Sequence, residues 1–272
     1  MPVISAINLK GGVGKTSLCL HLAGALAQMG RRILAVDNDP QSSLTAGFLG
    51  AQPTRQLDPA ATIAAVYAGD DPLPGAVIRP SGFDRIDLLP GSRFAVGANI
   101  PHPHKAPHAD QVRLRDFLDQ VGDDYDIVLI DCPPNLHMAS WAAMATSDAF
   151  IVPVQPEDFG AQGTQDVIES AAGVRAVVNP GLALAGYVVS MYQARRAVHQ
   201  AYVEHLRASH GDAVFAAVIP MASEFAEAVT ARKPVGFHKP KGAAAKAIRT
   251  VAEELSQRLA AGTARASAGE AA

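Results

Sequence analysis

Short apolar runs alternate along this chain with longer stretches in which apolar residues recur every three or four positions. The runs predict β-strands at Val3–Asn8, Ile33–Asp37, Arg85–Leu89, Asp126–Asp131, Ala149–Val154, Gly186–Ser190 and Val214–Ile219. Ile127–Ile130 and Phe150–Val154 are continuously apolar rather than alternating, the pattern of parallel strands covered on both faces. The first helical stretch spaces Leu18, Leu22, Leu26 and Met29 at about one turn and stops where Gly30 can terminate it. The last runs from Ala244 to Leu259, with Ile248, Val251, Ala252, Leu255 and Leu259 on one face. Alternation of this kind predicts an α/β fold: a doubly wound, mostly parallel sheet with helices on both faces.

Two segments read as irregular. Gly50–Pro80, rich in Pro, Gly, Ala and Asp, is expected to hold only a short helix around Thr62–Tyr67, and Pro101–Asp110 reads as a Pro/His loop. The small and polar residues Gly262–Ala272 are expected to form a disordered tail. None of these stretches divides the chain, so residues 1–261 are expected to form one domain.

Composition narrows the function classes. The chain has 272 residues, 49% hydrophobic and 18% charged, enough apolar material for a sizeable core. A net charge of −3 argues against a broadly basic nucleic-acid binder, though not against a local basic patch. The two cysteines, Cys19 and Cys132, are far apart in apolar surroundings and form neither a disulfide framework nor a metal-ligand spacing. The start of the chain is no signal peptide, and no apolar stretch is long enough for a bilayer span, so a soluble cytoplasmic protein is expected. His102, His104 and His108 lie in the Pro-rich loop without a cysteine partner and read as ordinary loop residues.

The decisive chemistry lies between the first strand and the first helix, in Lys10-Gly11-Gly12-Val13-Gly14-Lys15-Thr16-Ser17. A loop there aims backbone N–H groups and a helix N-terminus at an anion, and its glycines let the backbone approach phosphates closely. Lys15 is placed to reach the β- and γ-phosphates of a nucleotide, and the Thr16 hydroxyl to ligate Mg²⁺. The usual G-x-x-x-x-G-K-[ST] pattern is not met, because its first glycine falls at Leu9 and an additional lysine, Lys10, follows. Two apolar runs also end in acids: Ile33–Val36 leads into Asp37-Asn38-Asp39-Pro40-Gln41, and Ile127–Ile130 into Asp131-Cys132-Pro133-Pro134. In an open α/β sheet such strand tips are where ligands bind.

These residues resemble the ParA/MinD superfamily of P-loop ATPases: KGGVGKT resembles its deviant Walker A motif, VDNDPQ its switch I and DIVLIDCPP its Walker B. The resemblance covers roughly Pro2 to Leu259, including Leu88–Gly91, Val154–Phe159 with the following Gly163, and Val218–Pro220. It implies an ATPase that uses ATP and Mg²⁺. Lys10 is then the signature lysine acting across an ATP-sandwich homodimer, and Lys15 the lysine acting on its own nucleotide. By the same resemblance Asp39 positions the attacking water, Asp131 and Asp37 serve the Mg²⁺ site with Thr16, and Pro220 and Met221 lie near the adenine.

Within that superfamily the residues favour a ParA-type ATPase for partitioning a chromosome, a plasmid or another large cargo. Such a protein binds non-specific DNA as an ATP dimer, on the nucleoid, until a ParB-type partner stimulates hydrolysis. Candidate DNA-facing cations are Arg195, Arg196, Arg232, Lys233, Lys239, Lys241, Lys246 and Arg249. A departure accompanies them: Met221-Ala222-Ser223-Glu224 follows Pro220, where partitioning members carry arginines. A MinD-like membrane ATPase would need a bulky amphipathic tail, and GTARASAGEAA has no Leu, Phe or Trp to insert. A metabolic enzyme on the same fold is the other alternative. Its iron–sulfur form lacks support, because Cys19 and Cys132 read as buried packing residues. Met138 and Trp141 are expected to make packing or dimer contacts.

Overall fold

The computed structural model describes residues 1–156 and 161–270; of residues 161–163 and 263–270 only the backbone is described. Glu157, Asp158 and Phe159, part of the family-like segment, lie outside the described residues.

In chain order the elements are β1 (Val3–Ala6), α1 (Lys15–Gln28), β2 (Ile33–Asp37), α2 (Ser43–Leu49), α3 (Ala51–Arg55), α4 (Ile63–Ala68) and α5 (Pro74–Val77). There follow β3 (Arg79–Phe83), β4 (Ile86–Leu89), α6 (His108–Leu118), β5 (Ile127–Asp131), α7 (Met138–Thr146), β6 (Ala149–Val154) and α8 (Ala161–Val177). The chain closes with β7 (Ala183–Val189), α9 (Ala197–His210), α10 (Ser223–Thr230), α11 (Val235–His238) and α12 (Ala243–Glu270).

The strands form one seven-stranded sheet in the order β3-β4-β2-β5-β1-β6-β7, parallel except where β3 runs antiparallel beside β4. The central strands are buried along their whole length, as their unbroken apolar runs require. On one face Leu22 and Leu26 of α1, Phe48 of α2, Val235 of α11 and Ile248, Val251 and Leu255 of α12 form one core. On the other, Val66 of α4, Phe117 of α6, Trp141 and Met144 of α7 and Val174 of α8 form the second. Helix α1 ends as its sequence predicts: Gly30 takes φ 89°, its N–H reaches the Ala27 carbonyl, and Arg31 N–H returns to Leu26.

Three expectations are corrected. The run Val214–Ile219 is not a strand; only isolated bridges join Tyr187 to Val214 and Tyr192 to Pro220. Glu254 of α12 intervenes, its carboxylate accepting the N–H groups of Ala216 and Ala217 at 3.0 and 2.9 Å. That capping satisfies backbone beside β7 without extending the ladder. Gly50–Pro80 is more ordered than expected, carrying α3, α4, α5 and the first residues of β3, elements too short for a 3.6-residue period to reveal. The Pro/His loop is shorter than expected, because α6 begins at His108, with Asp110 in its first turn paired to Arg113.

Helix α12 also continues beyond Leu259 to Glu270, through a stretch rich in alanine, the strongest helix former. Ala271 and Ala272, the end of the expected tail, lie outside the described residues. Among the described residues no helix is long and apolar enough to cross a membrane.

One buried contact sets a pH dependence. His21 of α1 is 1% exposed; its Nδ1 accepts Val235 N–H at 3.0 Å and its Nε2 has no hydrogen-bond partner among the described residues. Burial holds the imidazole neutral by pulling its pKa down to about 4 from 6.5. The unfolded chain takes up this proton first, so stability from this group is intact above its unfolded pKa and is lost as pH falls toward the folded value. By linkage the loss is about 2 kcal/mol at about pH 5. Urea unfolding of wild type and His21→Asn, whose amide oxygen replaces the Nδ1 acceptor, checks this. Wild type should lose that much more than the variant on acidification, and equal losses would remove His21 as the cause.

Candidate phosphate-binding site

The sheet order sets β2, β5 and β1 side by side, and their register brings the three candidate motifs to one edge. Asp131 is the row partner of both Asp37 on β2 and Ala6 on β1. The loop Lys10–Ser17 leaves the sheet just beyond Ala6 and enters α1 at Lys15. Gly12 and Gly14 take φ 80° and 91°, values that a side chain with a Cβ rarely adopts.

Residues outside the motif hold the loop. Asn8 Nδ2 donates to the Pro153 carbonyl of β6 at 2.7 Å, while Asn8 Oδ1 accepts Lys10 N–H at 2.9 Å. Ser190, just past β7, donates its hydroxyl to the Val13 carbonyl at 2.7 Å. Lys15 is buried, its ammonium donating to the Asn8 and Lys10 carbonyls at 2.9 and 3.0 Å. Burial lowers the Lys15 pKa, and the negative charges of Asp131 and Asp39 work against that shift. Lys10 itself is exposed at the loop mouth.

The acids divide into different roles. Asp131 is fully buried, and among the described residues neither carboxylate oxygen has a partner within hydrogen-bonding geometry. Burial and the neighbouring Asp37 push its pKa well up, while the Thr16 hydroxyl beside it pulls the other way. A buried carboxylate with two unsatisfied oxygens is costly unless a cation joins it. Asp131 and Thr16 therefore fit Mg²⁺, a hard cation that takes oxygen ligands and keeps several waters. Bound there with ATP, Mg²⁺ would neutralise charge developing on the phosphate oxygens.

Asp37 is differently engaged. Its Oδ2 accepts both the N–H and the hydroxyl of Thr45, at 2.7 and 2.6 Å, and the same hydroxyl accepts Gly91 N–H at 2.8 Å. Gly91 must stay without a side chain, since a Cβ there would sit 2.7 Å from Asp37 Cγ. Burial raises the Asp37 pKa and the Thr45 bonds oppose it. Asp37 is thus tied through Thr45 to Gly91, beside Asp131. Asp39 Oδ1 accepts Gln41 N–H at 2.9 Å, and Asp39 O accepts Ser42 N–H, so a tight turn fixes the carboxylate at the strand tip.

The Pro220–Met221 segment also reaches this edge. Met221 N–H donates to Tyr192 O, and Tyr192 N–H to Ile219 O, while the Met191 methyl stands 3.8 Å from where a Gly14 Cβ would be. Met221 is exposed. Cys19 and Cys132 are buried, and Met138 and Trp141 pack into the core with Trp141 Nε1 bonded to Gln111 Oε1 at 2.9 Å. Sequence reasoning passed over Asn8, Thr45 and Ser190. The available signal was a polar residue closing an otherwise apolar strand, as at Asn8 and Ser190.

Residues 1–184 match a family model described as an AAA domain. The chromosome-partitioning ATPase Soj of Thermus thermophilus is 38% identical over 258 residues, spanning 94% of this chain and 96% of its own. This chain belongs to the ParA/MinD family. The chromosome partitioning protein ParA of Caulobacter vibrioides is 34% identical over 94% of both chains. Among solved structures, the cobyrinic acid a,c-diamide synthase of Mycobacterium smegmatis, bound to ADP and magnesium, superposes with TM-score 0.79. It is 26% identical and 96% of each chain is covered. The protein is a ParA/MinD-family ATPase that uses ATP and Mg²⁺, and its fold is that of the family's P-loop NTPases.

Proposed function

We propose that this ATPase is a ParA-type positioning protein: ATP closes a homodimer, the dimer binds DNA without sequence preference, and a ParB-type partner triggers release by stimulating hydrolysis. The observation that carries the reading is the exposed Lys10 beside the buried Lys15. Lys15 already fills the interior of the phosphate loop, and a second, exposed lysine at its mouth suits contact with a nucleotide outside it. A partner's nucleotide meets that description. The protein would then work in the cytoplasm, on the nucleoid in its ATP state and in solution otherwise, moving a chromosome, a plasmid or another large cargo.

The candidate DNA-facing cations are uneven. Lys239 pairs with Glu227, Arg249 lies 3.3 Å from Glu253, and the Arg232 guanidinium lies against Gly50. Lys233 and Lys241 are exposed between α10 and α12, Lys246 is exposed in the first turn of α12, and Arg195 and Arg196 are exposed just before α9. The first three are the strongest candidates, and two copies in a dimer would double their phosphate contacts. Binding of Asp39→Ala protein to random-sequence duplex DNA, with ATP and with ADP at two salt concentrations, tests this. Binding only with ATP, weakened about tenfold or more by raised salt and by joint Lys233→Glu and Lys246→Glu changes, is the expected result. Absence of binding in both nucleotide states would overturn the DNA step and favour an amide-forming enzyme, as the diamide synthase likeness would then suggest.

A further inference from the structure

The residue between the two switch I acids ties the strand tip to two helices. Asn38 is 2% exposed. Its backbone N–H donates to the Asp131 carbonyl at 2.9 Å, continuing the β2–β5 ladder past the strand ends. Its side chain then reaches two helices. Nδ2 donates to the Ala139 carbonyl in the first turn of α7 at 2.7 Å, and Oδ1 accepts the Tyr67 hydroxyl of α4 at 2.8 Å. A carbonyl can only accept, so the amide nitrogen must face Ala139 and the amide oxygen must face Tyr67.

The bonds run on into the segment behind Asp131. Ala139 N–H donates to Asn99 Oδ1 at 2.9 Å. Asn135 Oδ1 accepts His137 N–H, and the Asn135 carbonyl accepts the Ser140 hydroxyl at 2.6 Å. The start of α7 is thereby fastened both to the loop following Asp131 and, through Asn38, to the turn that carries Asp39. Displacing this end of α7 must either break a buried amide bond or shift the Asp39 turn with it. Breaking it leaves a buried donor and a buried acceptor unpaired, which costs more than the bond itself contributes. Asp at this position would lose the donor, and Leu would lose both partners.

We propose that Asn38 and Tyr67 are positioning residues for ATP hydrolysis, holding the Asp39 carboxylate in register with the segment behind Asp131. The proposal rests on Asp39 as the water-orienting residue. Tyr67 acts through Asn38, and Asn38 through the adjoining turn; neither needs to touch nucleotide.

The test uses the full chain and measures kcat at saturating Mg-ATP, nucleotide Kd, and melting temperature. Four variants are compared: Tyr67→Phe, Asn38→Leu, the double variant, and Asp39→Ala as reference. Tyr67→Phe should lower kcat about fivefold and Asn38→Leu about 30-fold, as expected for one and two lost buried hydrogen bonds. Kd should stay within about twofold, because the ground-state phosphate cradle is untouched. The double variant should be no slower than Asn38→Leu alone, since the tyrosine acts only through the asparagine. Wild-type kcat in both single variants with an inactive Asp39→Ala would overturn the relay and leave the Asp39 role standing. Multiplying kcat losses in the double variant, or a melting-temperature drop with kcat unchanged, would reduce the pair to structural bonds. Wild-type hydrolysis in Asp39→Ala would overturn both readings. Tyr67→Phe removes a single oxygen, so the test survives even if Asn38→Leu fails to fold.

Discussion

Replacing Lys15 by alanine is expected to lower ATP affinity by at least about 100-fold, roughly 3 kcal/mol, a typical loss when a buried charge-pairing group is truncated. The geometry makes the effect large. The Lys15 ammonium already sits inside the loop, bonded to the Asn8 and Lys10 carbonyls, with the negative charges of Asp131 and Asp39 acting on it. Without it, a phosphate chain would meet the buried acids with no ammonium inside the loop to offset them. The same truncation removes the positive charge that offsets Asp131, so Mg²⁺ becomes more necessary while its anionic ligand is harder to bind. Isothermal titration with a non-hydrolysable ATP analogue in Mg²⁺, alongside circular dichroism, checks the outcome. Wild-type affinity in a folded Lys15→Ala protein would remove the loop from the nucleotide site. Lys10→Ala provides the contrast: its exposed side chain predicts near-normal binding to a monomer and loss only of what depends on a second copy.

The parts of this site legible in the sequence are those whose spacing is fixed by covalent neighbours. Gly12, Gly14, Lys15 and Thr16 act within one turn of chain, and Asp37, Asp39 and Asp131 mark strand tips because apolar runs end there. Most of the supports were not legible, because they join residues remote in sequence. Ser190 reaches Val13 across 177 positions, Asn8 reaches Pro153 across 145, and Asn38 reaches Ala139 across 101. Periodicity carries no information about such partners. The two segments at the sheet's margins differ from their sequence patterns for separate reasons. Arg79–Phe83 contains Pro and Gly and exposes part of its length, which suits an edge strand but hides it from an apolar-run reading. Val214–Ile219 has the composition of a strand, and Phe215 and Ile219 N–H do bond to β7, but between them the distant Glu254 takes the N–H groups of Ala216 and Ala217 and breaks the ladder.

The Asp39→Ala variant is expected to bind ATP normally and hydrolyse it at least about 100-fold more slowly, within the range of losses from removing a positioned general base or water-orienting group. Binding and turnover separate here because the two functions use different atoms. The phosphate cradle belongs to Lys10–Ser17, whereas Asp39 is held on a neighbouring strand tip by its own turn, through Gln41 N–H and Ser42 N–H. Alanine removes the carboxylate without touching the loop backbone. It also removes one negative charge that acts on both Lys15 and Asp131, so nucleotide affinity should hold or rise slightly rather than fall. An enzyme that binds but does not turn over would accumulate in its ATP state. If ATP closes the dimer, size-exclusion chromatography with light scattering should show this variant mainly dimeric in Mg-ATP and monomeric in Mg-ADP. Two failures would carry different messages. Wild-type turnover would take the water-orienting role away from Asp39, whereas slow turnover with a persistent monomer would leave that role intact and refute the nucleotide sandwich.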